Sequence, residues 1–559
     1  VVKKLFTLFN KEIGGLHEAA YLLAFFAILS QVLGLVRDKL LAYSFGAGHI
    51  LDLYYSAFRV PDLIFVSIAS MVSTSVLVPF FIEKIDKDKV DGKKFVDGVF
   101  SVFLISILLV SLIVFFLVPY LIPILLPGFV NDSSIDELIT LTRIILLSPI
   151  FLGLSNFLAS ITQMYNRFFI YALSPVFYNI GIILGTVFLY PIMGIQGLGV
   201  GVAIGAFMHF FIQVPFVIEK KLFPKFIKNI EWGSIKRIVL LSLPRTLTLS
   251  ANHLATFFLI AAASLMEKGS ISVFSFALSI QSVPLSVIGV SYSSAVFPTL
   301  TRLFSVGNRE KFVAQMIVGA KHIIFWSTPI MVLFVVLRAQ IVRTVLGAGQ
   351  FSWSDTRLTA ACLAIFIFSV IGQSLVLLFV RAYYSAGNTK KPLYINILSS
   401  LFIVLFGYLF MKAFYFYPSF RYFMESLFKV EDVSGSSVLM LPLAYTFGVI
   451  INTILHWIIF SKDFSSFSRP VFKTFFETMG ASIIMGYVIY LFLNVFDDVF
   501  NLSTALGIFL QGFFSGIIGI IVFILILLCL KNKEIRDIWS TLHNKIWKAK
   551  VVPTEQQLL

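Results

Sequence analysis

Long apolar runs separated by short polar turns recur from residue 19 to residue 530. Each is long enough to cross ~30 Å of hydrocarbon at ~1.5 Å per residue. About fourteen spans are predicted on this criterion. They fall near 19–45, 57–82, 95–126, 135–163, 168–190, 194–218, 234–266, 270–304, 312–346, 355–386, 392–416, 438–461, 471–496 and 503–530. The runs are continuous, without the short alternating segments of a β-barrel, so the expected fold is an all-α polytopic membrane protein. The stretch from Ala19 to Glu83 organises the rest. Its two spans carry Arg37 and Asp38, then Arg59 and Asp62, where a plain lipid anchor carries no charge. Ionisable groups inside a span usually face a bundle interior or a watery cavity.

Composition agrees with this class. Of 559 residues, 58% are hydrophobic and only 13% are charged, too apolar for a soluble domain. The net charge of +15 points to basic cytoplasmic loops rather than to nucleic acid. Lys3, Lys4 and Lys11 precede the first span, and Lys84, Lys87, Lys89, Lys93 and Lys94 follow the second. Lys220, Lys221, Lys225, Lys228, Lys236 and Arg237 follow the sixth, and Lys531, Lys533, Arg536 and Lys545 the last. Loops 46–56, 128–134 and 497–502 contain no Lys or Arg. Both termini are therefore expected in the cytoplasm, which makes segments 1–18 and 531–559 cytoplasmic. No small-residue cleavage site follows the first run, so no cleavable signal peptide is expected. Cys362 and Cys529 lie in apolar runs and read as packing residues; no metal site is expected.

The chain also repeats itself. Leu126-Pro127-Gly128-Phe129, then Asn166-Arg167-Phe168, Pro175 and Asn179, are matched by Gly349-Gln350-Phe351, Gly387-Asn388-Thr389, Pro392 and Asn396. Val78-Pro79 is matched by Phe297-Pro298. The offset is about 220 residues, six spans, which keeps the two halves in the same orientation. The expected domains are an N-lobe 19–218, a cytoplasmic linker 219–233, a C-lobe 234–461 and a C-terminal pair of spans 471–530. In such transporters the substrate site lies between two parallel six-helix lobes.

Polar faces inside the spans nominate the lining. Ser272, Ser275, Ser279, Ser282 and Ser286 share one face of the eighth span, and Pro284 is expected to kink it. Arg245, Thr248, Asn252 and Thr256 share a face of the seventh, and Ser67, Ser70 and Thr74 one of the second. Such stripes serve either helix–helix packing or a cavity wall. Arg245 is too deep to snorkel easily and wants an anion or a carboxylate. Arg59 and Asp62, three residues apart, can pair with each other. Adjacent Arg37 and Asp38 leave their helix on different sides. Spans 1, 2, 7 and 8 are thus expected to line the space between lobes. No Walker loop, HExxH or Ser/His/Asp set appears, so no enzymatic activity is expected.

Ser30-Gln31-Val32-Leu33-Gly34-Leu35-Val36-Arg37-Asp38, Phe45-Gly46-Ala47-Gly48, Asp52 and Ala57-Phe58-Arg59-Val60-Pro61 together resemble the opening signature of the MurJ (MviN) lipid II flippases. That family belongs to the multidrug/oligosaccharidyl-lipid/polysaccharide exporter superfamily. The resemblance continues through Pro127-Gly128-Phe129, Ser282-Val283-Pro284-Leu285, Gly349-Gln350-Phe351, Asp355-Thr356 and Arg381-Ala382-Tyr383-Tyr384-Ser385-Ala386-Gly387-Asn388-Thr389. It implies two six-span lobes plus a C-terminal pair in the bacterial cytoplasmic membrane. It also implies a cavity that takes a polyprenyl-pyrophosphate-linked saccharide. Ser30, Gln31, Arg37, Arg59, Arg245, Asn252, Ser275, Ser279 and Ser282 are the binding candidates, with Asp38, Asp52, Asp62 and Pro284 as gating or structural residues. No cofactor is expected, although coupling to the membrane potential or to ions is compatible; cell-wall synthesis proteins are candidate partners. The chain departs from the family where arginines are usual: Gln31, Phe65, Val66 and Ser279 stand there, and Ser70 stands where an acid is usual. Arg245 is expected to take over part of the missing cationic work. Two rival readings remain: an exporter of another lipid-linked saccharide or of a drug-like cation, and a non-transporting scaffold for cell-wall synthesis.

Overall fold

Where no water can satisfy the peptide groups, only helices and closed barrels survive, and this chain takes the helical solution. The computed structural model describes residues 16–68, 74–165, 167–228, 230–464, 467–532 and 534–536, and among these every regular element is helical. Eleven helices are long and apolar enough to cross a membrane, or twelve if the broken pair Trp353–Phe366 and Ser369–Ser385 counts as one. These twelve coincide with the third to fourteenth predicted spans. The first falls on the 30-residue helix Leu16–Phe45. Of the second, Arg59–Ile68 and Thr74–Lys87 are described as helical, and residues 69–73 lie outside the described residues. Fourteen spans are therefore not all established. Lys3, Lys4, Lys11, Ser70, Asn166, Lys533 and the tail beyond 536 lie outside the described residues, as do the side chains of Thr74, Pro79, Pro244 and Arg245.

Local chemistry sets the helix ends. Asp88 caps the third span by accepting from the Val90 amide at 2.8 Å. Ser352 and Asp355 form a reciprocal capping box at the start of Trp353–Phe366. The predicted disturbance at Pro284 takes a definite form: the helix Ser270–Pro284 continues through a π-helical segment, Leu285–Val290, before Ser291–Ser305. A proline withholds one backbone donor, and a widened turn is a common accommodation.

The chain forms two compact units. The first comprises Val1–Val283, Val345–Ser369 and Gly387–Asn452. Within it, Phe168–Leu184 and Ile195–Phe211 meet through glycines, a contact that span counting misses. A Cβ on Gly181 would lie 2.2 Å from the Gly205 Cα, and one on Gly185 would lie 2.5 Å from the Gly201 Cα. Backbones this close are how membrane helices gain packing energy without a hydrophobic driving force. A buried polar knot joins the fourth and sixth spans: the Ser155 hydroxyl bonds His209 Nδ1 at 2.6 Å and accepts from Gln213 Nε2 at 2.5 Å.

Two repeat positions in this unit behave alike. The amide of Asn179 donates to the Pro175 carbonyl at 3.1 Å, and that of Asn396 donates to the Pro392 carbonyl at 2.8 Å. An asparagine one turn after a residue of a helix can reach back to that residue's carbonyl, and both sites use this local bond. Beyond this shared bond they diverge. Asn396 accepts from Asn452 at 2.9 Å, whereas Asn179 reaches the first span.

The second unit comprises Pro284–Thr344, Val370–Ala386 and Thr453–Leu559. The C-terminal spans Ser468–Asp497 and Ala505–Cys529 pack in it around Phe325, Ala481, Met485, Ile489, Phe523 and Leu527. Past the last span, Glu534 takes an ion pair from Lys321 at 3.0 Å and a hydrogen bond from Thr474 at 3.1 Å. Both cysteines are free; Cys362 is buried as expected for packing, but Cys529 is exposed at a helix end.

Candidate functional site

The first unit gathers Arg37 and Asp38 of the first span into one network. Arg37 donates to Asp38 Oδ1 through Nε (2.9 Å) and Nη2 (2.7 Å), and to Asn179 Oδ1 through Nη1 (3.1 Å). Adjacent residues leave a helix about 100° apart, yet these two side chains meet, because the long arginine stem folds back over its neighbour. The second oxygen of Asp38 accepts from the Ser279 hydroxyl of the eighth span at 2.5 Å. The Asn179 amide also lies 3.4 Å from the Ser30 hydroxyl. Asp38 is only 1% exposed. A carboxylate so buried persists when it is paired and hydrogen-bonded, and Arg37 and Ser279 supply both. An arginine at position 279, as in the resembling family, would give Asp38 a second cation; with serine there, Arg37 and Asp38 balance each other.

A second cluster lies where the first span ends. Asp52, in the short helix His49–Ala57 outside the spans, accepts from the Gly269 amide (2.5 Å), the Ser272 amide (2.8 Å) and the Ser272 hydroxyl (2.7 Å). Burial pushes its carboxyl up to about 6, against the pull of these donors. The turn after Phe45 meets the segment around Gly349. The Gln350 amide donates to the Tyr43 carbonyl at 2.9 Å, and the Ala47 amide lies 3.4 Å from Asp355 Oδ2. A Cβ on Gly349, at φ +61°, would sit 2.3 Å from the Tyr43 oxygen, and one on Gly128 would sit 1.6 Å from the Ser264 oxygen. Asp132 lies 3.4 Å from His49 Nε2 and 3.5 Å from Lys268 Nζ. The Ser134 donors, with help from these neighbours, hold its carboxyl down to about 2. Turns far apart in sequence are thus fastened together at one end of the unit. We call this set of contacts the latch.

The remaining candidates divide. Arg59 donates to the Tyr55 carbonyl at 3.1 Å, one turn before Asp62. Asn252 is exposed, with the Ser400 hydroxyl 3.4 Å from its Oδ1. Ser282 bonds back to the Ser279 carbonyl at 2.7 Å, and the Ser275 hydroxyl is buried with no hydrogen-bond partner among the described residues. Gln31 is half-buried and Pro284 buried. The Arg245 side chain lies outside the described residues. Asn179, Ser272 and Asp355 are central here; Ser272 was nominated only as part of the eighth-span polar face, and none of the three was named as a binding or gating residue. The signals were present: an amide one turn after a proline in an apolar run, the first member of the serine stripe, and an acid in a capping box.

A helical polytopic protein with a buried ion-pair network in its first span and a glycine-rich latch at one end has the build of a membrane transporter. Known proteins place it further. The family described as "Lipid II flippase MurJ" matches residues 41–418, and the chain belongs to that family. A protein of Buchnera aphidicola subsp. Schizaphis graminum (strain Sg), described as "Probable lipid II flippase MurJ", is 28% identical over 511 residues, covering 88% of this chain and 93% of that one. A solved structure described as "Lipid II flippase MurJ, inward closed conformation" is 25% identical with a TM-score of 0.71, covering 93% of this chain and 99% of that one. An inward-facing multidrug resistance MATE family transporter of the MOP superfamily shares the fold at 14% identity and a TM-score of 0.63, covering 80% of this chain and 99% of that one.

Proposed function

We propose that this protein moves a lipid-linked peptidoglycan precursor, lipid II, from the inner to the outer leaflet of the bacterial cytoplasmic membrane by alternating access. The observation that carries the reading is its membership of the family together with a relative of that name spanning most of its length. The chemistry supports it. A sugar pyrophosphate cannot cross hydrocarbon unaided, because its charges and hydroxyls would lose their water. Arginines can replace that water around the pyrophosphate, and hydroxyls and amides around the sugar. Arg37, Arg59 and Arg245 are arginines within the first, second and seventh spans, with Ser30, Gln31 and Asn252 nearby in sequence. Asp38 holds Arg37 until an anion competes for it, and the latch closes one end while the other admits substrate. On the loop charges the latched end faces outward and both termini are cytoplasmic. Outward movement of an anion is downhill when the interior is negative; about two charges at ~100 mV correspond to roughly 4–5 kcal/mol. The test is rescue: expression of this chain in a cell depleted of its own lipid II flippase restores growth and outer-leaflet lipid II. A stable protein that restores neither overturns the reading.

Arg245 is assigned part of the pyrophosphate binding that the absent arginines perform elsewhere in the family. Arg245→Ala is expected to abolish flipping at normal membrane levels. Arg245→Lys separates the roles, since a structural ion pair tolerates lysine and forked phosphate recognition does not. Flipping by Arg245→Ala at the parent rate refutes the assignment.

A further inference from the structure

The loop joining the eleventh and twelfth spans carries a surface that flipping does not explain. The span Lys390–Phe416 ends at an extended residue, Tyr417, and a second helix, Pro418–Phe428, starts at once. Proline at its first position is preorganised for that start. The inner side of this helix is held by polar bonds. Glu425, 2% exposed, accepts from Arg421 Nε at 3.0 Å and from the Ser436 hydroxyl at 2.6 Å. The chain leaving the helix is gripped by Arg357, which donates to the Lys429 carbonyl and, as a fork, to both Asp432 oxygens at 2.9 and 2.6 Å. The helix is therefore fixed in orientation.

What it presents outward is apolar. Tyr422, Phe423 and Leu427 are 67%, 61% and 56% exposed, and Tyr415, Phe416 and Tyr417 just before them are 65–73% exposed. The only charged residues from 415 to 428, Arg421 and Glu425, bond to each other. The exposed surface thus runs from the last turn of a span into the next helix without an unpaired charge. A contiguous patch of this kind marks an interaction site. Its depth is set by covalent continuity: the end of a membrane span lies at the bilayer surface. Aromatic side chains with a polar tip are enriched there, and amphipathic helices bury their apolar face about 5–10 Å into the headgroup–acyl boundary.

We infer that Pro418–Phe428 is an interfacial anchor whose Tyr422–Phe423–Leu427 face lies in the headgroup–acyl boundary of the protein's own bilayer. The anchor adjoins the latch: Ser434 and Gly435, just beyond it, line a cavity of about 90 Å³ with Ala47, Lys268, Gly269 and Asp355. The bilayer surface thereby holds one wall of the latched end.

The experiment uses the full chain with Cys529→Ser, in nanodiscs of phosphatidylethanolamine and phosphatidylglycerol. A fluorophore is attached at Phe423→Cys, at Leu427→Cys, or at Glu431→Cys in the polar loop beyond. Labels at 423 and 427 are expected to be quenched several-fold more by lipid carrying a nitroxide near the headgroup than by an aqueous quencher, with the reverse order at 431. Two positions on the face guard against one variant failing to fold. No protein partner is present in the nanodisc. Labels at 423 and 427 that respond to the aqueous quencher as 431 does, or to neither quencher, overturn the inference and leave a water-facing or protein-docking surface instead.

Discussion

Asp52→Ala is expected to open the latch. Asp52 satisfies two buried backbone donors, the Gly269 and Ser272 amides, and one hydroxyl. Alanine leaves them unmet, at about 1–3 kcal/mol for each buried group. A total near 3 kcal/mol or more shifts the latched population by roughly a hundredfold. Spin labels at Asn131→Cys and Glu267→Cys, on the two turns that meet there, report this as a longer-distance population in electron paramagnetic resonance. An unchanged distance distribution in Asp52→Ala refutes the latch. Acidity should act in the opposite sense. Burial raises the Asp52 carboxyl from 3.8 to about 6, so the latched state binds the proton more tightly than an opened, hydrated Asp52. Latching is favoured as pH falls from about 6 towards 4 and is weakened as pH rises through 6, by up to about 3 kcal/mol. The same label pair should show more of the short distance at pH 4.5 than at pH 7.5, and Asp52→Asn should flatten the difference. A long-distance population that grows on acidification contradicts this linkage.

Arg37→Ala is expected to cost both transport and stability, for separable reasons. Arg37 is the cation on Asp38, and Asp38 is 1% exposed. Removing one partner of a buried pair destabilises by about 3–5 kcal/mol, since the remaining charge is stranded with a single hydroxyl donor, Ser279. Removing the charge of both partners relieves that penalty. Arg37→Ala combined with Asp38→Asn should therefore recover most of the lost thermal stability and membrane level, yet still fail to flip lipid II in reconstituted vesicles, because the anion-binding fork is gone. Recovery of flipping in the double variant would show that Arg37 serves Asp38 alone. Asn179→Ala, which removes the 3.1 Å contact to Arg37 along with the Asn179 bonds to Pro175 and Ser30 but leaves the Arg37–Asp38 pair in place, is a milder control, since one hydrogen bond to a charged group contributes about 1.5–3 kcal/mol.

Much of this architecture is legible in the chain because hydrocarbon is a severe solvent. The lipid-facing residues must be apolar and the spanning backbone bonded within itself, so run length alone predicts twelve of the spans found here. The disturbance at Pro284 was equally local, since proline acts within one turn. The repeat was legible because a proline with an amide one turn later needs only local geometry, and Pro175–Asn179 and Pro392–Asn396 both form that bond.

Tertiary structure decided which polar residues meet. Asp52 and Ser272 are separated by 220 positions, and although that equals the repeat offset, a repeat marks equivalent places and does not say that they touch. The motif glycines 46, 128 and 349 are visible as glycines, but only a second backbone lying within 3 Å of where a Cβ would sit on each shows why a side chain is excluded. Asn179 looked like a repeat landmark until its position against the first span made it a partner of Arg37. The pairing of Arg37 with adjacent Asp38 contradicts simple helical spacing, because a long flexible side chain escapes the 3.6-residue rule that governs Cβ directions. Secondary structure follows from forces acting within a few residues of each other. The site follows from which helices lie side by side, and that is settled only when the whole bundle packs.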